Sequence, residues 1–152
     1  MVILLHHSIL YILLWASLLF FLLLATKFDL TTRSVPNLVV YGGSLVGLLL
    51  RGYYQGLFST SLFFLQVIVV IVLSLIALRY FPLGGADWKG FIMVTCYSGF
   101  MGFVFVFVFS LFVQMMIYMV RFFRGNMNLE LVYFPAITIG AIIFLLFQLV
   151  AI

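Results

Sequence analysis

The sequence predicts an all-α, polytopic membrane protein with about six transmembrane helices. The chain of 152 residues is 68% hydrophobic and only 7% charged, whereas a soluble domain carries about 25% charged residues. Its mean hydropathy is +1.43. The charges lie in short segments between long apolar runs. A chain this small and apolar could not cover a soluble surface, so we expect one transmembrane domain over residues 1–152 and no soluble domain.

The first three predicted spans follow from uncharged segments, since a helix needs about 20 apolar residues to cross the hydrocarbon. They cover Ser8–Thr26, Ser34–Leu50 and Gly52–Leu78. The second is short, and Pro36 marks its start because proline lacks the N–H that a first helical turn leaves unpaired. Gly43 and Gly47 form a GxxxG pair, which predicts close helix packing.

The segment Gly90–Val120 predicts two further spans, and Leu131–Ile152 predicts the last. As one straight helix, Gly90–Val120 would be about 46 Å long, against a hydrocarbon core of about 30 Å. The sequence SGFMG, Ser98–Gly102, offers a turn between two shorter helices. The polar side chains of Gln66, Ser74 and Gln114 within the spans are expected to bond neighbouring helices.

Charge placement favours six spans. With six, all but one of the basic residues face one side, namely Lys27, Arg33, Arg79, Lys89, Arg121 and Arg124, and only Arg51 faces the other. With five spans, four basic residues would face one side of the membrane and three would face the other. The positive-inside rule then predicts cytoplasmic charged loops and both termini outside. The scattered charges do not form the basic stripe that nucleic-acid binding requires.

The three acidic residues, Asp29, Asp87 and Glu130, all fall at the predicted cytoplasmic edge. Acidic side chains at membrane depth are costly and mark functional sites. Two neighbouring carboxyl groups can share a proton, so that one acts as base on water and the other as acid. The alternative is structural: the aspartates would pair with nearby lysine and arginine, and Glu130 would favour a helix N-terminus.

Three segments resemble the type IV prepilin peptidases. DLTTRSVPN, Asp29–Asn37, is similar to the first aspartate motif of that family, and LGGADWKG, Leu83–Gly90, to the second. FPAITIGA, Phe134–Ala141, resembles the final helix. The chain departs from the family at Ala86, where the motif has glycine. It also lacks the cysteine-rich insertion of the long, methylating enzymes, and so looks like the short, peptidase-only branch.

The resemblance implies a membrane aspartic endopeptidase of a bacterial or archaeal cytoplasmic (inner) membrane. It would remove the short leader of type IV prepilin-like membrane proteins at the cytoplasmic face. The resemblance also implies Asp29 and Asp87 as the catalytic pair and no metal or cofactor. The supporting or substrate-binding residues that it implies are Arg33, Pro36, Asn37, Gly84, Gly85, Ala86 and Lys89. Membrane lipid is the other expected partner, and the residues specify no oligomeric state.

Two other functions fit parts of the pattern. A non-enzymatic small subunit of a transport or secretion assembly would use the acidic residues structurally and would tolerate their exchange for asparagine. A presenilin-type intramembrane protease has a similar motif of glycine and aspartate. Such enzymes have more transmembrane spans, however, and their aspartates lie deeper in the membrane.

The six-span topology predicts opposite labelling at two introduced cysteines. Gln55→Cys should react with an impermeant thiol reagent on intact cells, and Asn126→Cys should react only after lysis. The natural Cys96 is replaced by alanine in both variants. Labelling of Asn126→Cys from outside would require an odd number of crossings after Arg79.

Overall fold

Five α-helices are found in the part of the chain that the computed structural model describes, which is residues 2–55, 57–80, 85–124 and 133–150, with side chains described except near the ends of these ranges. The helices are α1 (Val2–Thr32), α2 (Asn37–Gln55), α3 (Leu57–Tyr80), α4 (Gly85–Phe123) and α5 (Phe134–Val150). Every described element is therefore an α-helix, as the sequence predicts.

The faces of the helices that point away from the bundle are apolar. Phe20, Leu49, Leu75, Phe112 and Phe147, one from each helix, all expose more than half of their surface. Two described segments, 9–32 and 87–123, are long and apolar enough to cross a membrane, and α3 and α5 contain shorter apolar stretches. An apolar exterior of this extent is suited to lipid, so the fold is that of a membrane protein.

The first two helices extend beyond the ends of the spans predicted for them, and the start of α2 agrees with the position of Pro36. The first helix continues past Thr26 to Thr32, because Lys27 and Asp29 remain helical. The segment from Gly52 to Gln55 belongs to α2 and not to the third span, since the helix runs on through Arg51. The second helix begins at Asn37, directly after Pro36.

The long helix α4 folds back on itself at Gly99. This glycine has φ 73° and ψ −170°, outside any helical geometry. The rings of Trp88 and Phe107 stack with centroids 5.9 Å apart, whereas 19 residues of straight helix would separate them by about 28 Å. Phe91 and Phe107 also meet, with centroids 5.2 Å apart. The break predicted within Ser98–Gly102 is thus confirmed, and the number of membrane crossings stays a prediction.

The first arm of this hairpin, residues 85–98, is about 20 Å long by helical rise, which is shorter than the hydrocarbon core. Its turn therefore needs partners for the backbone groups that leave the helical ladder. Gln66 of α3 supplies one, because its Oε1 accepts the N–H of Phe100 at 3.0 Å. The expected bond to a neighbouring helix is confirmed for Gln66, whereas Oγ of Ser74 and Oε1 of Gln114 are buried without a hydrogen-bond partner.

Close packing around α2 depends on the predicted GxxxG pair. A Cβ atom at Gly43 would lie 2.5 Å from Sδ of Met93 and 2.9 Å from Cγ of Phe21. At Gly47 it would lie 2.5 Å from the ring of Tyr97. The two glycines therefore let α2 approach both α1 and α4, and the close-packing prediction is confirmed within the chain.

The helices α1 and α5 run antiparallel along each other. Near one end the Tyr11 hydroxyl donates to Oε1 of Gln148 at 2.9 Å. Towards the other end the hydroxyls of Thr26 and Thr138 are 2.8 Å apart. These polar pairs fix the register of two otherwise apolar helices.

The backbone at Gly99 predicts a costly substitution. Gly99→Ala would force a side chain into a conformation used almost only by glycine, at a cost of about 1–3 kcal/mol, and its Cβ would lie 2.8 Å from Oε1 of Gln66. Gly42→Ala is the matched control, because nothing lies within 4 Å of its Cβ position.

Thermal unfolding of both variants in the same detergent tests this. Gly99→Ala should lower the midpoint, and Gly42→Ala should leave it unchanged or raise it slightly, since alanine is the better helix former. Equal midpoints for the two variants would contradict a left-handed turn at Gly99.

Candidate active site

Four helix termini meet at one end of the bundle. The helix α1 ends there, and α2, α4 and α5 begin there, because the chain alternates direction and α4 folds back. Asp29 lies in the last turn of α1, and Asp87 lies in the first turn of α4. The two aspartates that the sequence singles out are thus placed at the same end, and both are half-buried.

Asp29 is held by the start of α5. Its Oδ2 accepts the backbone N–H of Phe134 at 3.1 Å. Phe134 is the first residue of α5, whose initial N–H groups have no partner within their own helix. The hydroxyl contact between Thr26 and Thr138 lies one turn further along the same two helices. The carboxyl group of α1 therefore caps a different helix, and its position is fixed by that bond.

Asp87 lies beside the same start of α5. The neighbouring residue is Tyr133, which is 5% exposed, and burial, with the charge of Asp87, raises the pKa of its phenol. A Cβ atom at Gly90, one turn after Asp87, would lie 2.9 Å from the Phe134 ring. The start of α4 thus packs directly on the start of α5. Asp29 bonds to Phe134, and the charge of Asp87 acts on the neighbouring Tyr133.

The electrostatics of this end are mixed. Three helix N-termini bring positive partial charge, which favours carboxylates. Asp29 also experiences the negative C-terminal end of its own helix, while the charge of Arg33 acts on it in the opposite sense. The two carboxyl groups therefore occupy different environments within one small region, which is the arrangement that lets a pair divide acid and base roles.

Lys89 bonds across to α2. Its Nζ donates to Oδ1 of Asn37 at 2.8 Å and lies 5.6 Å from the centre of the Tyr41 ring. The sequence suggests Asp87 as the neighbour of this ammonium group, whereas the structure directs its hydrogen bond to the first residue of α2. Lys89 and Asn37 thus tie the starts of α4 and α2 together.

Some of the remaining predicted residues lie at the helix ends of this region, and others lie outside the described part of the chain. Arg33 follows α1 with φ 53°, a left-handed conformation uncommon for a side-chain-bearing residue. Pro36 precedes α2, and its carbonyl accepts the N–H of Val39 at 3.0 Å. The first residue of α4 is Gly85, followed by Ala86, whose side chain lies outside the described part. Gly84 and Glu130 lie outside the described residues altogether.

Comparison with known families identifies the chain. The model of the type IV leader peptidase family matches residues 16–120, which include both aspartates. The chain belongs to this family. No curated protein and no solved structure shows significant similarity to it. As a family member it is a peptidase of the prepilin-processing type, and the family acts on prepilin-like substrates. Within the described residues, no three His, Cys, Asp or Glu side chains cluster as metal ligands would.

Sequence reasoning missed the residues at the start of α5 that lie beside the aspartates. Tyr133 and the amide of Phe134 adjoin the aspartates, and Thr138 is buried between α1 and α5. The signal that could have located them is Pro135, which suits the first turn of a helix and so marks where free N–H groups begin. The FPAITIGA segment contains this proline. The donor to Asp29, however, is the backbone N–H of Phe134, and a sequence does not show which backbone groups form such bonds.

The contact of Gly90 with Phe134 predicts a coupled pair of substitutions. Gly90→Ala should push Phe134 and its amide away from Asp29, lowering both stability, by about 1–3 kcal/mol, and the rate of leader cleavage. Phe134→Leu removes the ring atoms nearest the new methyl group, so Gly90→Ala should cost less in that background.

A double-mutant cycle on the unfolding midpoint and the cleavage rate measures this coupling. Additive effects of the two substitutions would contradict the contact.

Proposed function

We propose that this peptidase is a membrane-embedded aspartic endopeptidase in which Asp29 and Asp87 are the catalytic pair. Its substrates would be type IV prepilin-like proteins, whose short leader it removes at the cytoplasmic membrane face. The activity would be proteolysis alone, without methylation of the new N-terminus, as in the short branch of the family.

The observation that carries the proposal is the meeting of both aspartates at the start of α5. Asp29 accepts the amide of Phe134, and the charge of Asp87 acts on the phenol of Tyr133, the preceding residue. The two residues are 58 positions apart in sequence and belong to different helices. The carboxyl group of Asp29 accepts a backbone amide from another helix, which holds it beside the segment on which the start of α4 packs.

The proposed chemistry uses one proton shared by the pair. One carboxylate removes a proton from a water molecule, whose oxygen attacks the carbonyl carbon of the scissile peptide bond. The other carboxyl group donates its proton to the carbonyl oxygen. The tetrahedral intermediate then collapses, the C–N bond breaks, and the leaving nitrogen takes up a proton from the pair. No metal or cofactor is needed for these steps.

The position of the pair suits a membrane-bound substrate. The site lies where apolar helices end, so a substrate whose apolar helix follows its leader could approach within the lipid. The leader would then remain outside the hydrocarbon. Basic residues of this chain that lie at the same end, Lys27, Arg33, Arg79, Lys89 and Arg121, support a cytoplasmic orientation for the site.

Exchange of each aspartate for asparagine tests the catalytic assignment. Asp29→Asn and Asp87→Asn should each lower leader cleavage by at least about 100-fold, and the double variant should be no worse than either single variant, because the residues act as a unit. The assay is mass spectrometry of a purified prepilin incubated with the detergent-purified enzyme.

Glu130→Gln is the matched control, since it removes the third carboxylate without touching the pair. It should cleave at the rate of the unaltered enzyme. Full activity of Asp29→Asn or Asp87→Asn, with the protein folded, would overturn the assignment.

The pH dependence of cleavage should be bell-shaped. Activity should fall on the acid side, where both carboxyl groups are protonated, and on the alkaline side, where neither is. The two limbs belong to the coupled pair and not to single residues. A rate that rises to a plateau, without an alkaline limb, would indicate that only one carboxylate takes part.

A further inference from the structure

A second polar cluster lies at the opposite end of the bundle from the aspartates. It contains Tyr11 of α1, Arg51 and Tyr54 of α2, and Gln148 of α5. Tyr11 and Asp29 are 18 residues apart on one helix, a rise of about 27 Å. This separation is close to the hydrocarbon thickness of about 30 Å, so the two clusters lie near opposite faces of the membrane.

Arg51 has an unbalanced charge. Its Nε is buried and has no hydrogen-bond partner, and its guanidinium lies 5.7 Å from the centre of the Phe63 ring. The described acidic residues, Asp29 and Asp87, are at the other end. Within the described part of the chain, therefore, this cation has aromatic neighbours, including the phenols of Tyr11 and Tyr54, but no anionic one. A charge held at membrane depth without a counter-ion points to an anionic ligand.

An apolar groove begins at the same place. It lies between α1 and α5, has a volume of about 380 Å³, and is lined by Tyr11, Trp15, Ala16 and leucine and isoleucine side chains. Trp15 is 6% exposed, and its indole Nε1 has no hydrogen-bond partner. Tyr11 joins the groove to the cation, because its ring contacts both Trp15 and Tyr54, with centroids 6.0 Å and 6.4 Å away.

We propose that Arg51 and this groove form a binding site for one phospholipid with an anionic headgroup. The guanidinium of Arg51 would bind the phosphodiester, the groove would take an acyl chain, and the free indole N–H of Trp15 would donate to an ester carbonyl between them. Each part of the lipid matches one feature of the cluster: a cation without a described counter-ion, an apolar groove, and a buried donor without an acceptor.

A lipid matches these features better than an apolar helix does. A helix entering the groove would bury its apolar side chains, yet it would have to supply an anion beside Arg51 and an acceptor for Trp15. A phospholipid carries its anionic phosphate at one end of an apolar chain, and the structure places Arg51 near one end of an apolar groove. The inference is independent of the proposed proteolysis.

Native mass spectrometry of the complete chain in a mild detergent tests the site. The probes are phosphatidylglycerol, diacylglycerol with the same chains, and inorganic phosphate. Phosphatidylglycerol should bind tightest and raise the unfolding temperature. Arg51→Gln should weaken its binding about tenfold and make it resemble that of diacylglycerol. Arg79→Gln, a basic residue at the other end, is the matched control and should bind normally.

Two further variants, which leave Arg51 in place, test the groove. Ala16→Leu fills the groove and should weaken both phosphatidylglycerol and diacylglycerol. Trp15→Phe keeps the ring and removes the N–H, so it should weaken both lipids by a smaller factor.

Three outcomes would overturn the proposal. Normal phosphatidylglycerol binding by Arg51→Gln would exclude the headgroup contact. If inorganic phosphate stabilised the protein as much as phosphatidylglycerol does, and Ala16→Leu left this stabilisation unchanged, the site would be a simple anion site. If Ala16→Leu slowed prepilin cleavage while lipid binding stayed normal, the groove would be a docking site for the substrate helix.

Discussion

The hydrogen bond from the Phe134 amide to the carboxyl group of Asp29 determines where α1 and α5 meet. In a membrane, the first N–H groups of a helix find few partners outside the protein, so a carboxylate at this position stabilises the start of α5. The contact between Thr26 and Thr138 continues the register set there, and the bond from Tyr11 to Gln148 completes it at the far end. The rest of the site is arranged around this junction.

The reversal at Gly99 is what makes that junction available. It returns the end of α4 to the side where α4 began, so that α5 can start beside Asp87. The turn is kept in place by the backbone bond from Phe100 to Gln66 of α3. A helix that contacts neither aspartate thus takes part in placing the segment that adjoins both of them.

The composition and the charge pattern were sufficient to predict an all-helical membrane protein, the break near Gly99 and the close packing at Gly43 and Gly47. They did not predict that α2 continues through Arg51, because one charge within an apolar run resembles the end of a span. Arg51 remains helical, with its guanidinium packed over Phe63, a contact between helices that local sequence does not encode. The bond of Lys89 to Asn37, 52 residues away, is of the same kind, and the amide of Phe134 has no side-chain signature.

The dependence of Asp29 on α5 also has a consequence for how the protein is made. Both aspartates leave the ribosome well before Phe134, since synthesis proceeds from the N-terminus. Until the last helix has entered the membrane, the carboxyl group of Asp29 lacks its amide donor, and Asp87 lacks the cover of Tyr133. The arrangement around the two carboxyl groups is therefore completed only when nearly the whole chain has been inserted, and a nascent or truncated chain carries both acids without the geometry that joins them.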